Sequence, residues 1–305
     1  MKKTILLFIL LDVFILFLPA VFKKKPHHRV KGPDLSMMHF QEVSFKNSYD
    51  STQLGGMFFL PESPGPCPVA VIIQGSGPSR RDNPWYLAVA AYLQQNGIAV
   101  LLPDKRGCEH SGGKWEGADF GLLATDVESA IAFISRQGNF SGTGVLGMSQ
   151  GGWIAPVVAS KMPDLVFVIS MSGAMVTFDE QLVFEEFHNI APYTYDFIAR
   201  AVAPLTAGKL KKKKELAPFA GFDPIPYWKS VSVPVFIAYG ENDTNCPVEE
   251  SIKRMDEEGL DYYIVKVYPG GGHGILDPET GRVNPLFLSD MKKFIFETMT
   301  GKNPG

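Results

Sequence analysis

Beyond residue 36 the apolar positions fall into two rhythms. Residues 39–46 and 52–60 alternate and are rich in β-forming types, and Asn47, Ser48, Tyr49 and Asp50 separate them. That pattern predicts an antiparallel hairpin. The alternation then stops. Residues 69–73, 98–102, 144–148, 165–170, 233–239 and 262–267 are short, nearly continuous apolar runs with helix-length segments between them. Strands buried on both faces read this way, because helices cover a parallel sheet above and below. Helices are expected over 84–96, 119–137, 151–161, 248–258 and 285–299. The prediction is an α/β domain over residues 37–305, with a mostly parallel central sheet and helices on both faces.

One stretch breaks the alternation. Residues 174–228 separate two expected strands and are too long for a simple crossover. They carry helix-like segments at 178–188 and 195–203, followed by Lys209 and Lys211 to Lys214. The expectation is a helical cap inserted over the carboxyl edge of the sheet, with the lysines on a solvated face or loop.

The chain opens differently. After Lys2 and Lys3, residues 5–22 are apolar except for Asp12, with Pro19 and Ala20 the other departures from Leu, Ile, Phe and Val. Summed insertion energies favour the bilayer despite a central Asp costing about 2.5–3.5 kcal/mol. Residues 1–22 are therefore expected to be a membrane anchor, or a signal segment whose removal would leave a secreted or periplasmic protein. Leu18-Pro19-Ala20 is a poor cleavage site, which favours the anchor. The cues for orientation disagree. Lys23, Lys24, Lys25, Arg29 and Lys31 outnumber the basic residues before the run and would hold the domain inside, whereas a signal-like start would export it. Residues 23–36, rich in Lys, His, Pro and Gly, read as a linker.

Charge and cysteines narrow the chemistry. The 29 Lys and Arg against 32 Asp and Glu leave no basic field for nucleic acid. Cys67, Cys108 and Cys246 lie far apart and show neither a CxxC pair nor metal-ligand spacing, so zinc and disulfide frameworks both lose support.

The chemistry-bearing signal is Gly147-Met148-Ser149-Gln150-Gly151, the one G-x-S-x-G in the chain. An expected strand runs into it and an expected helix leaves it, the arrangement that presents a serine hydroxyl on a sharp turn. The turn Gln74-Gly75-Ser76-Gly77-Pro78 ends the first parallel strand. The backbone N–H groups of Ser76 and Gln150 are the candidate oxyanion donors, each worth about 3 kcal/mol in such sites. A phosphate loop would need a following Gly-Lys-Ser/Thr, which is absent.

A serine needs a histidine base, itself oriented by a carboxylate. Of six histidines, His273 stands in Gly270-Gly271-Gly272-His273-Gly274 after the last strand, a setting that makes little sense as packing. His188, in the insert, is the alternative. Asp243, in Gly240-Glu241-Asn242-Asp243, lies between serine and histidine in chain order; Glu241 and Asp277 are the competing carboxylates.

With these residues in place the chain resembles the α/β-hydrolases, and more narrowly the prolyl oligopeptidase-like and dienelactone hydrolase-like bacterial esterases, over roughly residues 37–300. The likeness rests on 74–78 with Arg81-Asp82-Asn83, on Asp104-Lys105-Arg106-Gly107 ending in Ser111, on 147–151, on 239–247 and on Gly272-His273-Gly274. It implies an α/β-hydrolase fold and a serine hydrolase acting through an acyl-enzyme on small-molecule esters, without metal or organic cofactor. The chain departs from the pattern twice. Gln74 stands where relatives carry histidine, and Glu109 where they carry the second glycine of Asp-x-Arg-Gly-x-Gly-x-Ser. Arg81 and Asp82 are expected to structure their loop.

The expected activity is a carboxylesterase or acyl hydrolase with Ser149, Asp243 and His273 as its triad. The same triad serves a peptidase or an acyl-CoA thioesterase, and a catalytically silent binding protein of this fold is the non-enzyme alternative.

Overall fold

A computed structural model describes residues 30–301 apart from 63, 64 and 139. The expected membrane segment, residues 1–22, lies outside the described residues, as do residues 23–29. Among the described residues no helix is long and apolar enough to cross a membrane.

Eight strands form one sheet. They are β1 (Gln41–Lys46), β2 (Gln53–Phe59), β3 (Pro68–Ile73), β4 (Ala99–Pro103), β5 (Gly142–Met148), β6 (Val168–Met171), β7 (Val235–Gly240) and β8 (Ile264–Tyr268). Their order is β1-β2-β4-β3-β5-β6-β7-β8. β1 and β2 form the expected antiparallel hairpin, and β2 also runs antiparallel to β4. From β4 to β8 every pairing is parallel.

The nearly continuous apolar runs now have a physical account. In β3, Val69, Val71 and Ile73 face one core and Ala70 and Ile72 the other. The helices α1 (Pro84–Gln95) and α8 (Pro285–Met299) cover the second face with Leu87, Val89, Phe287 and Phe294. On the first face, α2 (Phe120–Ile134) and α3 (Gly151–Ala159) do so with Leu123, Val127, Trp153 and Ile154. Local chemistry sets the starts: Asn83 and Asn284 cap α1 and α8 with a proline next in line, and Asp119 caps α2.

The insertion between β6 and β7 is helical, with α4 (Phe178–Ile190), α5 (Asp196–Leu210) and the short α6 (Ile225–Trp228); α7 (Val248–Glu257) follows β7. α4 starts at a capping box of Thr177 and Glu180. α5 continues seven residues past the expected end, so Lys209 is helical, and Lys211 pairs with Asp179 at 2.7 Å.

The linker expectation needs correction at its far end. Val30, Leu35 and Met38 pack against the core, the Lys31 N–H donates to the Gly281 carbonyl, and Gly32 lies so close to Pro84 that a Cβ would meet its carbonyl oxygen at 2.2 Å. Residues 30–36 are therefore strapped to the domain. A stretch this short, with glycine and proline, has no period to announce its packing.

Gly144 in β5 shows how tightly the sheet is covered, since a Cβ there would sit 2.3 Å from the ring of fully buried Phe167. Gly144→Ala is expected to destabilise the protein by about 1–3 kcal/mol through overpacking, measured as a lowered thermal or urea midpoint. An unchanged midpoint would contradict the packing described.

Candidate active site

Because β3 to β8 are parallel, the loops after them emerge at one edge of the sheet. Ser149 follows β5 directly and has φ +56°, a left-handed conformation that costs a non-glycine residue about 1–3 kcal/mol. The turn holds because its neighbours are glycine. A Cβ on Gly147 would lie 2.2 Å from the Gly151 carbonyl oxygen, and one on Gly151 would lie 2.1 Å from that of Ile73. The Ser149 N–H donates to the Met171 carbonyl at the end of β6, which fixes the turn to the neighbouring strand.

Three side chains from three loops meet here. His273 Nε2 lies 2.8 Å from Ser149 Oγ, and His273 Nδ1 lies 2.9 and 3.0 Å from the two Asp243 carboxylate oxygens. The Asp243 side chain is fully buried, and its Oδ1 also accepts the N–H groups of Asn245 and Cys246. Those bonds aim the carboxylate. Burial by itself would push the His273 pKa down, but the Asp243 charge and hydrogen bond, with a smaller contribution from Glu185, raise it above the ordinary histidine value. The competitors lie elsewhere in their interactions. His188 Nδ1 bonds the Phe184 carbonyl within α4, Glu241 accepts from Gly270 N–H, and Asp277 organises its own turn through Glu279 and Thr280.

The oxyanion candidates also converge. Gly75 packs against the serine, a Cβ there falling 3.3 Å from Ser149 Cβ, and its N–H donates to the Tyr86 hydroxyl. Among the described residues the N–H groups of Ser76 and Gln150 have no acceptor. Both residues line a cavity of about 250 Å³ with Leu123, Leu216 and Phe219. On the imidazole side a second cavity of about 310 Å³ is lined by His273, Trp85, Asn242, Thr244 and Asn245. The arrangement can deprotonate a hydroxyl, hold a negative oxygen and return a proton to a leaving group.

Several supporting residues carried no sequence signal. Trp85 donates from Nε1 to the Gly274 carbonyl and sets its ring 5.8 Å from the imidazole. Ser172, also at φ +56°, donates to the His273 carbonyl at 2.7 Å. Glu185 of α4 accepts from Asn245, so the cap reaches the loop carrying Asp243. Each role depends on contacts across scores of residues, which no local spacing encodes. Glu109 occupies the position of a missing glycine at φ +49°, which supplies the reason glycine suits that place. Among the described residues no group of three or more His, Cys, Asp or Glu side chains could hold a metal ion.

Arg81 has the structural role expected of it. Its guanidinium donates bidentately to Asp104 at 2.8 and 2.7 Å and also reaches Glu42, whereas Asp82 pairs with Arg80 at the surface. The Arg81 and Asp104 side chains are only 10% and 2% exposed.

Comparison with known proteins bears on the fold. A family model described as serine aminopeptidase, S33, matches residues 71–216. A bifunctional esterase/perhydrolase of Acinetobacter calcoaceticus is 23% identical over 261 residues, 74% of this chain and 92% of that protein. Among solved structures, an esterase of Pyrococcus furiosus superposes with a TM-score of 0.64 at 18% identity, covering 90% of this chain and all of its own. A proline iminopeptidase of Mycobacterium smegmatis superposes with a TM-score of 0.60 at 15% identity, covering 86% and 99%. These likenesses carry the α/β-hydrolase fold without singling out the prolyl oligopeptidase-like or dienelactone hydrolase-like branch.

Removing Arg81 would leave Asp104 as an uncompensated buried charge. Arg81→Leu is expected to cost about 3–5 kcal/mol, and a second change, Asp104→Leu, to recover part of it. Urea denaturation of the single and double variants checks this; a single variant as stable as wild type would refute the role.

Proposed function

Since the chain is an α/β-hydrolase, we propose that it is a serine hydrolase cleaving small carboxylic esters through an acyl-enzyme. The observation that carries this reading is the hydrogen-bonded chain from Asp243 through His273 to Ser149, closed at 2.8 Å on the nucleophile side. Ser149 Oγ attacks the ester carbonyl while His273 Nε2 takes its proton. The carbonyl oxygen, now negative, is held by the N–H groups of Ser76 and Gln150. His273 then protonates the leaving alcohol, and water repeats the sequence on the acyl-enzyme to release the acid. Asp243 holds the imidazole in the tautomer with a proton on Nδ1 and stabilises the imidazolium.

Proton return places the leaving alcohol on the His273 side, in the cavity bordered by Asn242, Thr244 and Asn245. The acyl group then occupies the oxyanion side, against Leu123, Leu216 and Phe219. An apolar acyl chain and a more polar alcohol suit those two walls.

A second reading is favoured by Glu185. Its half-buried carboxyl, whose pKa is pushed up by burial, sits close enough to His273 and Asp243 to feel both charges. A substrate with a free amino group could pair with it, which fits cleavage of an amino-terminal residue on the same triad. The similarity to the serine aminopeptidase family model supports that alternative. Parallel assays of p-nitrophenyl esters of increasing acyl length and of aminoacyl p-nitroanilides separate the two: the ester reading expects the esters to be turned over far faster.

The triad itself is tested by a fluorophosphonate probe. Wild type is expected to label covalently and Ser149→Ala not at all; unlabelled, folded wild type would favour the silent binding protein. Asp243→Asn is expected to lower kcat by about 10⁴-fold with the fold intact. The pH dependence has a definite sign. His273 must be neutral to act as base and its pKa is raised, so kcat/KM is expected to fall as pH drops through a midpoint above the ordinary value of about 6.5. Residual activity in Asp243→Asn should show that limb moved to lower pH; a limb at or below the ordinary value in wild type would contradict the coupling.

A further inference from the structure

Between Asp104 and Arg106 lies a buried lysine that the triad does not use. Lys105 is 8% exposed, and among the described residues no carboxylate lies within ion-pair distance of its ammonium. Its two charged neighbours in sequence are spoken for: Asp104 by Arg81, and Arg106 by Asp126 and Asp50. An ammonium has three N–H donors, and all three are used. They go to the Gly75 carbonyl, the Gly77 carbonyl at 3.0 Å and the Gln150 side-chain oxygen at 3.3 Å. Every acceptor belongs to the two segments that carry the free N–H groups of Ser76 and Gln150.

The Gly75 carbonyl is the decisive partner. It belongs to the same peptide unit as the Ser76 N–H, and in a trans peptide the two point in opposite directions. Holding the oxygen on the lysine side therefore turns the N–H away from the lysine. The preceding peptide is pinned independently by the Gly75 N–H bond to Tyr86. A cation on the oxygen end of the peptide dipole also polarises the N–H at the other end, which strengthens its donation in a low-dielectric site.

Resting on the serine hydrolase reading, we propose that Lys105 is the positioning residue of the oxyanion hole: its ammonium locks the Gly75–Ser76 peptide and the Gln150 side chain so that both backbone donors face the developing oxyanion. A buried ammonium without a counter-charge has a cost, and burial lowers the Lys105 pKa to about 8. The other ionisable groups nearby are the Cys108 thiol, which favours the charged lysine, the Tyr86 hydroxyl on the Gly75 N–H, and Glu215, which lines the same cavity from the cap. Loss of the lysine proton would remove a donor and the charge together, so turnover should fall on the alkaline side as Lys105 deprotonates.

The test compares wild type, Lys105→Met and Lys105→Arg on one p-nitrophenyl ester between pH 6 and 10, with thermal melting as the control for folding. Lys105→Met is expected to lower kcat by about 10²–10³-fold, the loss seen on removing one oxyanion donor, with KM changed less than threefold. Wild type is expected to show an alkaline limb near pH 8, and the remaining activity of Lys105→Met should lack it. Lys105→Arg, charged throughout this range, should recover part of kcat and move the limb to higher pH. A folded Lys105→Met with kcat within twofold of wild type, or with an unchanged alkaline limb, would overturn the proposal. If Lys105→Met does not fold, the Lys105→Arg profile decides alone, an unmoved limb counting against it. Failure of the serine hydrolase reading would look different: wild type would neither hydrolyse the ester nor label with fluorophosphonate.

Discussion

The parallel run of β3 to β8 is the constraint from which the rest of this site follows. Parallel strands deliver their carboxyl ends to one edge, so the loops carrying Ser76, Lys105, Ser149, Ser172, Asp243 and His273 come together although they span some two hundred residues of chain. Hydrogen bonds from three of these loops to the neighbouring strand make that convergence rigid. Ser149 N–H bonds the end of β6, Ser172 N–H bonds Ala238 in β7, and Glu241 N–H bonds Tyr268 in β8. Four of the loops also hold a non-glycine residue in the left-handed region, Glu109, Ser149, Ser172 and Ile275, a conformation held only because surrounding packing over-determines it.

Around this edge several of the charges are arranged in pairs. Asp104 with Arg81 and Arg106 with Asp126 brace the loop after β4, and Asp243 faces His273. Lys105, by contrast, is buried against carbonyls and an amide. A buried charge compensated only by dipoles is costly, and its acceptors all lie in the oxyanion segments. Fold and proposed chemistry thus meet at one side chain: what braces the β4 loop also orients the peptide beside the nucleophile.

Much of this was legible in the sequence because backbone crowding and chain order leave local marks. Gly147 and Gly151 around Ser149 mark places where a Cβ would strike backbone, as does Gly240 against the Gly272 carbonyl beside His273, and continuous apolar runs mark strands covered on both faces. The helix starts at Pro84 and Pro285 were equally plain, since a cap and a proline stand at each. What escaped was relational. Trp85 under the imidazole, Ser172 beneath the His273 carbonyl and Glu185 against Asn245 are ordinary residues whose roles arise from distant partners. Lys105 read as an unremarked position inside a loop motif, and nothing local separated it from its paired neighbours. The strap at residues 30–36 escaped for another reason: it packs through Val30, Leu35 and a close glycine contact too brief to form a period.

The central claim is that Ser149 becomes acylated during turnover. Rapid-quench mixing with a p-nitrophenyl ester, followed by peptide mass analysis, measures this directly. The account predicts a burst approaching one p-nitrophenol per chain and a single acyl adduct on the peptide containing Ser149. Steady hydrolysis with no burst and no adduct, persisting when Ser149 is replaced by alanine, would contradict it.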